Sequence, residues 1–579
     1  MRLSSILIPL TLSATYASSS KSCNALPSTS HPSSLPPLTP PNPHPHDLSL
    51  QNRIDLAYEH MNDPSLHPTP ISKYYFLQQL SHTEPQIYYG LLSTHLKETM
   101  PIVYTPTVGE GCTRWSQTYI ATGGSTAGRG LYIPYTKNKE EIKNHLRTVQ
   151  HSSIDAIVIT DGERILGLGD LGVNGMGIPV GKLALYSGLG GVDPRKCLPI
   201  TLDSGTNTES YLQPDSSYIG SRRRRVTGEA YTSFVDDVLS SIQEEFGRNT
   251  LIQFEDFGNE NAFHFLQRYR ERGGVNMFND DIEGTASVVL AGVIAAMRVV
   301  GDRSGSAAPK VEEQTFLFLG AGEAGVGIAD LISRYIVLEA KREGRDVKLE
   351  DARKNIWLVD SKGLIVSDRK NLVEHKLRYA HEWGRNSAVP KKLEDAVDEL
   401  KPSVLIGVAA QPNTFTPSII EKMSALNSHP VIFALSNPTS KCECTAEEAY
   451  QHSSGAAIFA TGSPFDDVIM DGRTYSTGQG NNAYIFPGVG LGSIVAKANK
   501  IDDSDFLIAA ETLAREVNYE KAKVDGNIYP RLEEVREVSR RIGVEVAKNI
   551  IAGGRSDGEA NQDEIEQMVD DYMWDFHDF

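Results

Sequence analysis

The segment Thr315-Phe-Leu-Phe-Leu-Gly-Ala-Gly-Glu-Ala-Gly325 decides the fold prediction for this chain. Its first five residues form the short apolar run of a buried strand, and an apolar helical pattern follows Gly325. The Gly-x-Gly-x-x-Gly spacing between them allows a tight turn at a helix N-terminus, where a pyrophosphate can approach the backbone. We therefore predict a dinucleotide-binding loop here. Its predicted cofactor contacts are Gly320, Gly322, Glu323, Ala324 and Gly325.

A second stretch, Gly167-Leu-Gly-Asp-Leu-Gly172, matches the same spacing. It precedes Gly- and Pro-rich sequence without a clean helical pattern, so we predict that it does not bind a cofactor. The second strand of the dinucleotide unit is predicted to end at Asp360, which lies further along than the usual distance of about 20 residues. A long first helix would account for this distance.

Strand patterns alternate with helical patterns on both sides of the loop, which indicates parallel sheets with crossover helices. Before the loop, strands are predicted at 154–159, 197–202 and 251–254; after it, at 355–359, 403–406 and 431–435. Residues 48–100 have helical spacing. The predicted fold class is α/β, with a helical N-terminal region, a parallel-sheet substrate domain and a Rossmann-like dinucleotide domain.

The length of 579 residues is too great for one core, so several domains are expected. We predict a leader at 1–47, a helical domain at 48–150, a substrate and metal domain at 151–280 and a dinucleotide domain at 281–480. Residues 481–579 are predicted to return to the substrate domain and to close the chain with helices.

The composition excludes several classes of protein. A formal net charge of -18 argues against a nucleic-acid partner, because a duplex binder needs a basic face. The one basic run, Arg222–Arg225, is predicted to be a solvated loop rather than a nuclear signal. No apolar run is judged long enough to span a membrane. The odd, scattered cysteines predict free thiols in a reducing compartment; they are Cys23, Cys112, Cys197, Cys442 and Cys444.

The N-terminal stretch 1–46 contains no acid, is rich in Ser and Pro, and carries an apolar run at 6–12. This pattern is typical of a targeting segment, and we predict an organelle, with the mitochondrion favoured over the plastid. A secretory signal and plain disorder remain as alternatives.

Two pairs of acids stand in apolar surroundings, Glu255-Asp256 and Asp280-Asp281. Neighbouring carboxylates repel one another, and a hard divalent cation such as Mg²⁺ or Mn²⁺ relieves the repulsion. A metal site beside a dinucleotide loop suggests metal-assisted redox chemistry. The alternative is solvated surface charge.

Three further side chains have residue types suited to catalysis. Arg164 follows a predicted strand and could hold a carboxylate bidentately, although a surface salt bridge is the alternative. Lys182 lies in an apolar stretch, where burial would lower its pKa and make it a base near neutrality; the alternative is a lysine that reaches solvent. Tyr104 taken alone is predicted to be a core tyrosine.

Together these segments resemble malic enzyme, the family that oxidatively decarboxylates malate to pyruvate with NAD or NADP. The similar segments run from about residue 52 to about residue 551 and are 103–109, 160–170, 253–258, 278–286, 320–325, 434–439 and 478–487.

The resemblance implies a role for each matching residue. It implies that Glu255, Asp256 and Asp281 bind the metal, Mg²⁺ or Mn²⁺. It implies that Lys182 is the general base, Asp280 the acid that pairs with it and Tyr104 the general acid. The implied substrate contacts are Arg164, Asn437 and Asn482, with Asn437 also at the cofactor.

The resemblance further implies NADP preference, because Asp360 is followed by Ser361 and Lys362, with Lys376 further on. It implies a homotetramer or homodimer. Two positions depart from the family: Glu283 replaces the usual Gln, and Gly90 stands where some members have an arginine for fumarate activation. Two rival functions remain, a metal-dependent oxaloacetate decarboxylase without net redox chemistry and a non-catalytic homologue that acts as a binding subunit.

Overall fold

The computed structural model describes residues 48–122, 124, 130–149, 153–558 and 561–579. The predicted leader and Cys23 lie outside the described residues.

The N-terminal region is helical, as predicted. Its first two helices begin at side-chain caps: the Ser49 hydroxyl accepts from the Asn52 N–H, and Thr69 and Ser72 exchange hydrogen bonds at the start of the second helix. The helices are α1 (Leu50–Asn62), α2 (Pro70–Thr83), α3 (Pro85–Thr94), α4 (Leu96–Val103), α5 (Thr107–Thr113) and α6 (Trp115–Ala121).

A five-stranded, wholly parallel sheet follows, in the order β1-β3-β2-β4-β5. Strands β2 and β4 are buried along their whole length, as expected for a parallel sheet covered on both faces. The strands are β1 (Leu131–Pro134), β2 (Ala156–Thr160), β3 (Cys197–Asp203), β4 (Leu251–Phe254) and β5 (Met277–Asn279). The helices are α7 (Lys139–Leu146), α8 (Gly177–Gly190), α9 (Glu209–Leu212), α10 (Glu229–Phe246) and α11 (Asn259–Arg272).

The second unit contains a seven-stranded sheet, in the order β14-β11-β10-β9-β6-β7-β8, in which only the β7–β8 pair is antiparallel. Its strands are β6 (Phe316–Leu319), β7 (Ile356–Asp360), β8 (Gly363–Leu364), β9 (Val404–Gly407), β10 (Val431–Ala434), β11 (Ile458–Thr461) and β14 (Gly478–Gln479), beside a separate hairpin of β12 (Val468–Met470) and β13 (Arg473–Tyr475). Its helices are α12 (Thr285–Ser304), α13 (Glu323–Arg342), α14 (Leu349–Ala352), α15 (Glu374–Leu377), α16 (Leu393–Leu400), α17 (Pro417–Leu426) and α18 (Ala446–His452). The 20-residue helix α13 accounts for the long distance between the glycine loop and Asp360.

The last part of the chain returns to the first unit. Helices α19 and α22 both pack against α8, and the Trp574 N–H donates to the Gly191 carbonyl at 2.7 Å. These closing helices are α19 (Phe486–Val495), α20 (Asp503–Arg515), α21 (Tyr519–Asp525), α22 (Val535–Ala552) and α23 (Ile565–Tyr572).

One helix corrects the expectation that no apolar run could span a membrane. The continuous helix Asp280–Ser304 is long and apolar enough by length and composition, but 78% of its apolar window is buried inside the protein. It contacts α13 and α20, so it packs as a core helix between elements of the fold.

In each sheet, successive strands are added first on one side of a central strand and then on its other side. In the first sheet the chain passes from β2 to β3 on one side and returns as β4 on the other; in the second it passes from β6 to β7 and returns as β9. Ligands of parallel α/β sheets bind at such switch points, beyond the carboxyl ends of the strands. Two binding regions are therefore expected, one at each sheet.

Candidate active site

The carboxyl ends of the two sheets face a common cleft of about 180 Å³. The loop after β2 and the residues after β4 line it from the first sheet, and residues after β9 and β10 line it from the second. The predicted site residues that line the cleft are Tyr104, Arg164, Glu255, Asp256, Asp281, Ala324, Asn437 and Asn482.

Beneath this cleft lies a buried charge cluster. Helix α8 carries Lys182, whose side chain is fully buried. Its Nζ forms an ion pair with Asp280 and lies 3.0 Å from Glu255 Oε1. The structure therefore brings the predicted base and its predicted partner acid into direct contact.

The expected lowering of the Lys182 pKa is wrong. Burial alone would lower the pKa, but the ion pairs with Asp280 and Glu255 outweigh it and raise the pKa well above the ordinary value of a lysine. The sequence could not show this, because the two acids lie far from Lys182 along the chain. Burial also raises the pKa of Asp280, in spite of its contact with Lys182.

The four acids of the predicted metal region lie together. Asp256 adopts a left-handed backbone conformation (φ 53°), and its N–H donates to Asp281 Oδ2 at 2.7 Å. Asp280 and Asp281 lie in a single π-helical turn, Asp280–Gly284, between β5 and α12; such turns are frequent at functional sites. Burial, reinforced by the neighbouring acids, raises the pKa of Glu255 and Asp256 well above their ordinary values.

These acids fit a hard divalent cation. Asp256 Oδ2 and Asp280 Oδ1 are buried without a hydrogen-bond partner, and buried carboxylate oxygens are costly unless something compensates them. Within the described residues, however, no group of three or more acid, His or Cys side chains is arranged so that it could hold a metal ion as it stands. Glu255 is engaged by Lys182, and Asp281 by the Asp256 N–H. The donor set suits Mg²⁺ or Mn²⁺, and the side chains would have to exchange these contacts for the ion.

Tyr104 and Asn482 border the charge cluster. Tyr104 immediately follows α4, its side chain is buried, and it hydrogen-bonds to Lys182. Burial raises the pKa of its hydroxyl well above the ordinary value, so the phenol keeps its proton. The Asn482 amide donates to Asp280 Oδ2 at 2.9 Å and to Thr285 Oγ1 at 2.9 Å. Tyr104 is thus a buried tyrosine, as its position alone suggested, and it also contacts the predicted base.

Arg164 reaches across the cleft toward the dinucleotide loop. Its Nη1 lies 3.5 Å from Glu323 Oε2, and its side chain is 42% exposed while that of Glu323 is fully buried. Burial and the neighbouring Asp281 raise the pKa of Glu323 to about 8. Glu323 was predicted only as a cofactor contact; it also faces the predicted substrate arginine.

The dinucleotide loop has the geometry that its sequence predicted. Gly320 has φ +117°, and a Cβ there would lie 2.8 Å from the carbonyl oxygen of Val408, the residue just after the neighbouring strand β9. A Cβ at Gly325 would lie 2.3 Å from the Gly320 carbonyl oxygen. At Gly322, by contrast, the nearest atom to a Cβ is Asn259 Nδ2 at 4.0 Å. A Cβ would therefore clash at the first and third glycines but not at the middle one, which leaves room for a pyrophosphate to approach the backbone there.

The acid at the end of β7 is already neutralised. Asp360 accepts two hydrogen bonds of 2.6 Å from Arg369 and one of 3.1 Å from Lys376. Ser361 and Lys362 are exposed in the turn that follows, and the Lys362 N–H also donates to Asp360. Sequence reasoning missed Arg369. Its position shortly after the second strand of a dinucleotide fold was the available signal.

The two departures from the family pattern each have a local explanation. Glu283 accepts from the Asn279 N–H at 3.0 Å and forms an ion pair with Arg270, so its extra charge is compensated within the protein. A Cβ at Gly90 would lie 2.4 Å from Ile54 Cδ1, so a longer side chain there would displace its neighbours.

Comparison with known proteins gives two adjoining family matches. Residues 81–270 match the malic enzyme N-terminal domain, and residues 282–551 match the malic enzyme NAD binding domain. NADP-dependent malic enzyme 4 (chloroplastic) of Arabidopsis thaliana is 47% identical over 508 residues, which cover 87% of this chain and 74% of that protein. NADP-dependent malic enzyme of Rattus norvegicus is 48% identical over 498 residues, covering 86% and 81%.

Solved structures agree in fold. The malic enzyme from Pyrococcus horikoshii superimposes with a TM-score of 0.53 at 25% identity, over 82% of this chain and 89% of that chain. The Entamoeba histolytica malic enzyme does so with a TM-score of 0.54 at 23% identity, over 86% and 88%. The long matches at nearly half identity, together with both domain models, show that this chain belongs to the malic enzyme family.

Proposed function

We propose that this protein oxidatively decarboxylates (S)-malate to pyruvate and CO₂ with reduction of NADP, in a reaction that depends on Mg²⁺ or Mn²⁺. The observation that carries the proposal is the buried cluster of Lys182, Asp280 and Glu255, which lies beside the same cleft as the dinucleotide loop. Relatives at 47–48% identity are named NADP-dependent malic enzymes, which supports both the reaction and the cofactor.

A bound divalent cation would supply Lewis-acid polarisation of the substrate carbonyl, and bound NADP⁺ would supply the hydride acceptor. Glu255, Asp256 and Asp281 would hold the cation through carboxylate oxygens. Arg164 binds a substrate carboxylate by charge-assisted hydrogen bonds. Asn437 and Asn482 complete the substrate contacts from the opposite side of the cleft, where both line its wall.

Two side chains move protons at different atoms. Lys182 must lose its own proton before it can accept the C2 hydroxyl proton. Asp280 and Glu255 both contact its Nζ, and because Glu255 is assigned to the metal, Asp280 is the carboxylate left to take that proton. Because burial raises the pKa of Asp280, this carboxylate is suited to accept the proton from Lys182. Tyr104, which keeps its phenolic proton, donates it to C3 of the enol left after loss of CO₂.

We attribute NADP preference to the cations around Asp360. An acid at this position would repel a 2′-phosphate, but Arg369 and Lys376 carry two positive charges against its single negative one. Lys362 and Ser361 add an exposed cation and a hydroxyl to the same turn. A 2′-phosphate would therefore meet net positive charge.

One assay tests the reaction and separates it from its rivals. With malate and Mn²⁺, the enzyme should generate NADPH faster than NADH. An oxaloacetate decarboxylase would consume oxaloacetate without reducing either cofactor, and a non-catalytic homologue would do neither. Lys182→Ala should block malate oxidation, whereas Tyr104→Phe should slow proton exchange at C3 of pyruvate. Wild-type exchange in Tyr104→Phe would remove Tyr104 from the mechanism.

We also propose a homotetramer or homodimer, as is usual in the family, and import into an organelle, with the mitochondrion favoured over the plastid. The acid-free, Ser-rich leader supports import. Light scattering of the purified enzyme tests the subunit number, and a monomeric mass would refute it. A fluorescent protein fused to residues 1–46 tests import; fluorescence in the plastid would reverse the choice of organelle, and cytosolic fluorescence would refute import.

A further inference from the structure

The basic run Arg222–Arg225 is not uniformly solvated. The side chain of Arg224 is 57% exposed and pairs with the exposed Glu209, in agreement with a solvated loop. The side chain of Arg225 is only 2% exposed. For Arg225 the predicted solvated loop is therefore wrong, and a buried guanidinium needs partners that compensate the loss of water.

Arg225 binds two acids on one loop. Its Nε and Nη2 each donate to Asp170 at 2.7 Å, which is a bidentate pair. Its Nη1 donates to the Asp161 carbonyl oxygen at 3.0 Å and lies 3.8 Å from the Asp161 carboxylate. A fourth hydrogen bond, at 3.3 Å, runs from Nη1 to the Ser204 hydroxyl, just beyond the end of β3.

These acids stand at the two ends of the loop 161–172 that follows β2. The N–H groups of Leu171 and Gly172 donate to the Gly162 carbonyl oxygen at 3.0 and 3.1 Å, which brings the two ends together. The closure is tight, since a Cβ at Gly162 would lie 1.9 Å from the Gly172 carbonyl oxygen. Arg225 therefore fastens the base of a closed loop to the sheet.

The same loop carries Arg164 into the cleft. The Arg164 N–H donates to the Asp256 carbonyl oxygen at 3.2 Å, and the Leu166 N–H donates to Asp256 Oδ1 at 3.1 Å. The Arg164 guanidinium itself has one ion-pair contact within the described residues, the long one to Glu323. Its position is thus set mainly by the backbone of the loop.

We propose that Arg225 is a positioning residue for substrate binding: by joining Asp161 to Asp170 it holds Arg164 where the substrate carboxylate binds. The proposal rests on the proposed function, in which Arg164 binds that carboxylate. Without the guanidinium, two acids at the loop base would lose their common counter-charge, and the loop would open at its base. A lysine keeps the charge but cannot make the bidentate pair and the carbonyl bond together.

The test compares Arg225→Lys with Arg224→Lys, the same substitution one residue away in the same run. Arg225→Lys should raise the KM for malate about 10-fold and change kcat less than about 2-fold, because a carboxylate anchor acts equally in the ground and transition states. The KM for NADP should stay at its wild-type value. Arg224→Lys should match the wild type in all three constants.

Hydrogen exchange provides a readout that does not depend on turnover. In Arg225→Lys, peptides that cover 161–172 should exchange faster than in the wild type, while peptides from α13 should not change. Arg224→Lys should leave both sets unchanged. If Arg225→Lys does not fold, Asp170→Asn removes the same ion pair from the other side and should show the same pattern.

The outcomes separate the two proposals. If the wild type fails to oxidise malate, the proposed function fails, and the exchange experiment still decides whether Arg225 holds the loop. Unchanged exchange at 161–172 together with an unchanged KM for malate would overturn the positioning role. A lower melting temperature with an unchanged KM would also overturn it, since it would show that Arg225 only stabilises the fold.

Discussion

Two loops of this protein share one sequence pattern and differ in almost everything else. Gly167-Leu-Gly-Asp-Leu-Gly172 and Gly320-Ala-Gly-Glu-Ala-Gly325 both read Gly-x-Gly-acid-x-Gly, and each follows a central parallel strand at the switch point of its sheet. After Gly325 the chain continues in the long helix α13, whereas Gly172–Met176 forms a short 3₁₀ turn before α8. Only the second loop offers a long helix N-terminus to an anion.

The acid in each pattern shows the same contrast. Asp170 is held by the bidentate contact of the buried Arg225, so the first loop is fastened to its sheet. Glu323 faces Arg164 at 3.5 Å, and its Oε1 is buried without a hydrogen-bond partner. Identical glycine spacing thus yields one loop that an arginine fastens to its sheet, shortly after the proposed substrate residue Arg164, and one open loop that suits a cofactor. The residues that pack against the pattern make the difference.

The largest effect is expected from Arg164→Gln, on the substrate loop. Loss of the charge-assisted bonds to a carboxylate should lower kcat/KM for malate roughly 100-fold. The affinity for NADPH, measured by the fluorescence of the bound cofactor, should not change, because the dinucleotide loop is intact. An equal loss of NADPH affinity would contradict the proposal that the first loop serves malate and the second loop serves the cofactor.

A smaller effect is expected from Lys376→Ala, beyond the second loop. Removal of one of the two cations at Asp360 should raise the KM for NADP about 30-fold, the order of one charged hydrogen bond, and leave the KM for NAD nearly constant. Steady-state kinetics with both cofactors measure the ratio. If both KM values rise together, Lys376 supports the fold and does not select the cofactor.

The middle glycines allow a matched pair of substitutions. Gly322→Ala puts a methyl group into open space at the cofactor, so the KM for NADP should rise about 10-fold while the melting temperature stays constant. Gly169→Ala meets no neighbour but has φ +85°, so it should cost about 1 kcal/mol and lower the melting temperature by about 1 °C without changing the KM for NADP. A raised KM for NADP in Gly169→Ala, together with an unchanged one in Gly322→Ala, would contradict the placement of the cofactor at the second loop.

The smallest effect concerns Glu323 and pH. Its pKa is raised to about 8, so the folded state binds its proton more tightly than the unfolded state does. The stability from this proton is complete below the ordinary pKa of a glutamic acid and is lost as pH rises through about 8. From about pH 7 to about pH 9, with metal removed, the wild type should lose about 1 kcal/mol more than Glu323→Gln. Parallel denaturation curves at the two pH values would refute this.

The fold was predictable where local pattern and burial agree. Strand β4 lies at the residues predicted, since three of its four residues are apolar, all four are buried, and it leads directly into the acid pair. Strands β1 and β5 were not predicted. Strand β5 is only 3 residues long, too short for a period to appear, and β1, although as long as β4, is only partly buried and ends in Pro134.

The side chains that meet in the buried charge cluster could be predicted from the sequence, but their electrostatics could not. Lys182, Glu255 and Asp280 were singled out by residue type, yet the sign of the Lys182 pKa shift depends on an acid 98 residues away. Arg369 and Arg225 were missed for a related reason. Each is an ordinary cation in the sequence, and only the tertiary fold brings it to a buried or functional carboxylate.

The return of the chain to its first unit has a consequence for biosynthesis. Helices α19 and α22 cover α8, the helix that carries Lys182, and the Trp574 N–H donates to the residue that directly follows α8. While the ribosome is still adding these segments, α8 has an uncovered apolar face, although every strand of the second sheet has already been made. We expect the dinucleotide unit to fold first during translation, and the unit that is synthesised first to be completed last.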